Sequence, residues 1–161
     1  MSQELSDYGT ALDRGQAGQK ADAGNDHVET FAAEGAVPFG HAVMRGTEDR
    51  QGAVPSADTD EFVGIALFTH VQRQGLPGED EIAGYEDTDP MSVLRRGRAL
   101  VEVTADVDAG DSAYVDVQAG DEGLWTNVAT DNLGPVGQFK TSADDGDLAV
   151  VEVDALTAAI T

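Results

Sequence analysis

The sequence predicts an all-β protein, a small antiparallel β-barrel or sandwich preceded by an extended N-terminal arm. Three observations carry that prediction. Beyond residue 27 the chain breaks into short runs of alternating or β-branched apolar residues, Gly, Pro, Asp and Asn clusters separate those runs, and the first 27 residues show neither feature. A chain of 161 residues suits one domain that buries roughly 70% of its unfolded surface. That domain is expected over residues 28–161, with 1–27 as the arm.

The arm, "MSQELSDYGTALDRGQAGQKADAGNDH", is polar and glycine-dotted, with Leu5, Tyr8 and Leu12 as isolated apolar points and Arg14 as a charge. A segment of this composition has no core of its own and becomes ordered by lying against something else. Strands are expected in "GHAVMR" (40–45), "EFVGIALFTHV" (61–71), "MSVLRRGRALVEV" (91–103), "DSAYVDV" (111–117), "VGQFKT" (136–141) and "DLAVVEVDAL" (147–156). Between them "DVDAGD" (106–111), "QAGDEG" (118–123), "NLGP" (132–135) and "ADDGD" (143–147) carry turn chemistry. The acidic excursion 72–90 reads as a surface loop or a loose hairpin. Only "TDEFVGIALF" and the terminal "ALTAAIT" have any helical character, and the first has the Val-Gly-Ile texture of a strand. Short strands at such intervals build a barrel or a sandwich.

The formal charge is -22, from 31 Asp plus Glu against nine Lys plus Arg. Acids are spread through strands and turns, a distribution that keeps a surface hydrated where salt is molar and the Debye length is about 3 Å. A halophilic source is expected. Nucleic acid is excluded as a partner, since binding it requires Lys and Arg to neutralise phosphates. There is no cysteine, hence neither a disulfide framework nor a thiolate metal site. No apolar run approaches bilayer length, and "MSQELSDYGT" lacks the charged and apolar regions of an export signal, so a soluble protein made in a cytoplasm is expected, with no membrane partner.

No catalytic constellation emerges. "DVDAGD" and "SADDGD" resemble calcium loops, but Ala109 and Gly110 follow Asp106 and Asp108 where a calcium loop needs a further carboxylate and a distant Glu. His27, His41 and His70 have no metal-ligand spacing. Nucleophile-elbow, P-loop and dinucleotide fingerprints are absent, so neither an enzyme nor a cofactor or metal is expected. Trp125 and Phe139 are sparse large anchors that suit either core packing or a buried subunit interface. The cluster Arg95, Arg96 and Arg98 holds a third of the cations. On a strand that Gly97 lets bulge or kink, Arg95 and Arg96 occupy opposite faces while Arg98 shares the face of Leu100. They can pair with carboxylates of the same chain, or form a patch reserved for an acidic partner surface.

Taken in order, "VETFAAEGAVPFGHAVMRGT", "FVGIAL", "YEDTDPMSVLRRGRALVEVTADVDAGDSAYV" and "GPVGQFKTSADDGDLAVVEVDAL" resemble the structural cement, or head decoration, proteins of tailed viruses. The resemblance spans about residues 28–156; the acidity and the longer 72–90 loop depart from it. It implies a non-enzymatic virion protein, synthesised in the host cytoplasm, that binds the outside of an icosahedral shell of HK97-like coat subunits and clamps neighbouring capsomers. The implied partners are the major capsid protein and other copies of this chain, with trimers at three-fold positions favoured over dimers. With the halophilic reading, the source is a haloarchaeal tailed virus. Leu5, Tyr8, Leu12, Arg14, Arg95, Arg96, Arg98 and Trp125 are the candidate capsid or inter-subunit contacts. A carbohydrate- or cation-binding β-module of a halophilic cell is the alternative; an export signal or clustered exposed aromatics would favour it, and neither is present.

Overall fold

The structure, a computed structural model, describes residues 15–22, 24, 26–69 and 84–158. Its strands are β1 (His27–Ala33), β2 (Val37–Pro38), β3 (Ala42–Arg45), β4 (Gln51–Ala53), β5 (Phe62–Ala66), β6 (Gly84–Tyr85), β7 (Pro90–Glu102), β8 (Ser112–Val115), β9 (Trp125–Thr126), β10 (Leu133–Phe139) and β11 (Leu148–Asp154). A single helical turn, α1 (Ala155–Ala158), follows within the "ALTAAIT" segment. All six expected strands form. "NLGP" departs from its turn assignment, because Leu133–Pro135 already belong to β10.

Nine strands join in the order β1-β4-β3-β5-β7-β11-β10-β8-β9, and β1 also pairs with β7. That extra pairing closes β1, β4, β3, β5 and the first half of β7 into a five-stranded barrel, in which only β1 and β4 run parallel. The second half of β7 pairs with β11, which leads through β10 and β8 to β9. β9 then returns to the end of β7 through a parallel bridge between Val103 and Trp125 and a hydrogen bond from Thr104 N to Trp125 O. The result is two small barrels that share one strand. Phe31, Phe39, Val43, Val63, Tyr85, Met91 and Val93 fill the first. Trp125, Phe139, Val101, Val115 and Val151 fill the second, with Ile65 and Leu94 packed against them.

The 13 residues of β7 follow the period of two almost throughout. Met91, Val93, Arg95, Ala99 and Val101 are buried, while Arg96, Arg98 and Glu102 are exposed. Gly97 has φ of +135°, and against β1 the register slips so that Arg95 is the extra residue of a bulge. The bend there lets one strand serve two barrels.

Part of the expected arm is stitched into this sheet. Gly18 N donates to Leu100 O, Leu100 N to Gln19 O and Ala21 N to Arg98 O, while Gly18 O accepts from Phe68 N. Gly18 has φ of +85°, and a Cβ there would lie 2.8 Å from Ala66 O, Gly40 N and Phe68 N, so only glycine fits. Residues 18–21 thus hydrogen-bond to the barrels although they precede residue 28. Leu5, Tyr8, Leu12 and Arg14 lie outside the described residues.

Candidate functional site

The outward face at the bend of β7 collects four of the chain's nine Lys and Arg: Lys20, Arg96, Arg98 and Lys140. β7 and β11 are in register with Arg96 opposite Asp154 and Arg98 opposite Glu152, and opposite charges on directly facing residues stabilise a sheet by about 0.2–1 kcal/mol per pair. Arg96 Nη2 lies 3.2 Å from Asp154 Oδ2 and Arg98 Nε 3.1 Å from Glu152 Oε2. Lys140, just past β10, reaches the same Glu152 oxygen at 3.2 Å. From the other side the segment before β1 contributes Asp22, 3.1 Å from Arg98 Nη1, and the pair Lys20–Asp26 at 2.6 Å.

Arg95 points inward, as its parity on β7 requires. Its side chain is 9% exposed, it pairs with Glu29 of β1, and its guanidinium lies 5.8 Å from the centre of the Phe31 ring, a cation–π distance. Its Nε has no hydrogen-bond partner among the described residues. Between Asp22, Gly24 and Asp26 on one side and the end of β11 on the other runs an open groove of about 640 Å³, lined also by Arg96, Gly97, Arg98, Glu152 and Asp154.

The carboxylates respond to these cations. A hydrogen bond from Lys20 holds Asp26 below the ordinary carboxylate range. Burial pushes Glu29 up, but hydrogen bonds from Arg95 and His27 together outweigh it and leave the group lowered. Glu152 is lowered by the hydrogen bond from Lys140 and by the charges of Lys140 and Arg98. A lowered folded value means that the stability these groups contribute is fully present above about pH 5 and is lost as the pH falls through the folded values. Urea unfolding between pH 7 and pH 3 in about 1 M salt, where general repulsion is screened, should show this loss. Glu29→Gln should flatten the curve, and a profile identical to the parent would remove Glu29 from the network.

Arg96 and Arg98 thus stand on the surface beside a groove, each with a carboxylate partner in its own chain. Trp125 is elsewhere and is 0% exposed. Its Nε1 donates to Gly40 O at 3.0 Å and its ring meets Phe62 edge to face at 5.9 Å between centroids. It is a core anchor with no surface to give a partner. Reading the sequence missed Lys20, Asp22, Glu29, Lys140, Glu152 and Asp154, which become visible only once β7 is paired with β11 and with the segment before β1. Among the described residues no group of three or more His, Asp or Glu side chains is placed to hold a metal ion, and no helix is long and apolar enough to cross a membrane.

The two barrels thus carry a charge-matched outer face. The chain belongs to the structural cement protein family (E217 gp24/Pam3 gp6), which matches residues 5–154. It is accordingly a phage-type virion structural protein that associates with capsid proteins. Among solved structures, the fold is similar to a chain in the capsid of Myoviridae Phage XM1, with a TM-score of 0.70 and 18% identity over 90% of this chain and 93% of that one. It is also similar to the head fiber gp8.5 N base of bacteriophage phi29, with a TM-score of 0.52 and 13% identity over 81% of this chain and 96% of that one. At those identities the likeness is one of fold. No curated protein matches the sequence.

Proposed function

We propose that the chain binds the outer surface of an icosahedral shell of HK97-like coat subunits and cements neighbouring capsomers, in a tailed virus of a haloarchaeal host. Membership of the cement family over residues 5–154 carries this reading. The charge of -22 supports the exterior location, since packaged DNA would repel such a chain, and it supports brine as the medium. Leu5, Tyr8, Leu12 and Arg14 are the arm residues placed against the coat, and Arg96 and Arg98 are the contacts offered by the barrels.

Imaging tests this directly. Shells lacking the chain, mixed with it in about 1 M salt, should acquire density on their outer surface at capsomer boundaries. Deleting residues 1–14 should weaken decoration tenfold or more, about 1.4 kcal/mol, with the melting temperature unchanged. Deletion through Asp22 should also destabilise the fold, because it removes the hydrogen bonds to Arg98 and Leu100. Density only inside the shell, or none, would overturn the proposal, and a melting temperature indifferent to salt would overturn the halophilic host.

A further inference from the structure

We propose that residues 15–22 form a detachable strap on β7, one that peels from the barrels as a unit and redocks while both barrels stay folded. The inference concerns the chain by itself and does not rest on the capsid reading. Beyond the bend, β11 pairs with one edge of β7 from Arg96 to Glu102. The strap takes the other edge, with Lys20 opposite Ala99 in an antiparallel bridge. Four amides depend on it: Gly18 N and Ala21 N donate to Leu100 O and Arg98 O, while Leu100 N and Phe68 N donate to Gln19 O and Gly18 O. Phe68 packs against the core of the first barrel, so the strap reaches both barrels.

Little besides those bonds holds it. Gly18 alone is buried and brings no side chain, whereas Gln16, Gln19, Lys20, Ala21 and Asp22 are exposed, so undocking uncovers little apolar area. The ion pairs Lys20–Asp26 and Asp22–Arg98 brace one end, but both stand in water, with Asp22 55% exposed, and pairs so placed contribute little. The open groove over Gly97 already admits solvent beside Asp22. Backbone groups freed on an edge find water in place of the strap, and the glycines Gly15 and Gly18 regain conformational freedom. A segment with few apolar contacts and solvent-facing hydrogen bonds opens at far lower free energy than a core strand. Its seat is nonetheless specific. A Cβ on Gly18 would lie 2.8 Å from Gly40 N, Ala66 O and Phe68 N, so the strap docks in one register or not at all. Release moves the point at which the chain leaves the barrels from Gly15 to His27, and the 12 residues 15–26 span at most about 40 Å when extended. The strap is thus a reserve of chain length between the barrels and residues 1–14.

Amide hydrogen exchange of the full chain, followed by NMR in about 1 M salt, tests the inference. The amides of Gly18, Ala21, Leu100 and Phe68 should be protected to a common degree, yet exchange about 100-fold or more faster than those of Ala42 and Val103, which donate to Gly123 O and Asp147 O away from the strap. Their exchange should barely respond to urea below the unfolding transition, because undocking exposes little surface. Gly18→Ala should abolish the protection of Leu100 and Phe68 while Ala42 and Val103 stay protected and thermal unfolding stays cooperative. Asp22→Asn should speed the four strap amides by about two- to fivefold and leave Ala42 and Val103 unchanged. Strap amides that exchange at the rate of Ala42 and Val103 would show that the strap leaves only when the barrels unfold. Four unrelated rates would show that it does not move as a unit, and no protection in the parent would show that it is not docked. Each of these overturns the inference, as does a Gly18→Ala chain that keeps Leu100 and Phe68 protected. Should Gly18→Ala fail to fold, Asp22→Asn decides: strap amides that do not change, or that change together with Ala42 and Val103, overturn it.

Discussion

Replacing Trp125 by alanine is expected to cost about 3–5 kcal/mol of unfolding free energy, the range for removing a large aromatic side chain from a packed core. Trp125 is fully buried, stacks edge to face on Phe62 of β5 and donates to Gly40 O. Its backbone meanwhile bridges Val103 at the end of β7. One residue on the two-residue strand β9 therefore ties the second barrel both to itself and to the first. Truncation leaves a cavity between the two barrels and removes the donor from Gly40 O. Trp125→Phe should keep most of the buried area and lose chiefly the hydrogen bond, at about 1–3 kcal/mol. Urea unfolding followed by far-UV circular dichroism measures both variants. An alanine variant that loses less than about 1 kcal/mol would mean the barrels hold together without this anchor.

Gly64→Ala should be of similar size for a different reason. Gly64 lies in β5 with φ of +155°, and a Cβ there would stand 2.3 Å from Leu94 O and 2.6 Å from Val93 Cγ1. The nearer atom is backbone of β7, so it can yield only by parting β5 from β7 and opening the first barrel. Backbone strain and overpacking each cost about 1–3 kcal/mol, which together place the loss at roughly 3–5 kcal/mol. Gly110→Ala separates the two contributions. Gly110 also has positive φ, +100°, but nothing lies within 4 Å of its would-be Cβ, so that variant bears the backbone cost alone. Equal melting temperatures for the two variants would show that the contact with Leu94 O is not what requires glycine at 64.

Local pattern was sufficient to identify the principal strands. The β-branched run "VVEVD" and the alternation along "MSVLRRGRALVEV" became β11 and β7, and the Gly and Asp clusters at 106–111, 118–123 and 143–147 turn the chain between strands. The same period of two placed Arg95 and Arg96 on opposite faces, as they are. The family resemblance was also legible, from the order of motifs more than from any one of them. β1, β2, β4, β6 and β9 were not identified as strands, for a physical reason. β1 is exposed along most of its first half, and β2, β4, β6 and β9 have only two or three residues, so none presents enough alternation to detect; all are strands because non-local partners hydrogen-bond to them.

By itself, then, the sequence determined an all-β domain, its acidic surface and that Arg95 and Arg96 lie on opposite sides of β7. Tertiary structure alone decided which neighbours those arginines meet. Alternation along a strand encodes a face but not a partner, and the carboxylates that answer Arg98 lie 54 and 76 residues away. It likewise decided that residues 18–21 hydrogen-bond to the edge of the sheet and that Trp125 faces a core. Backbone pairing draws a polar segment with little apolar area onto a strand edge, and a lone aromatic is placed by the cavity that distant strands build around it.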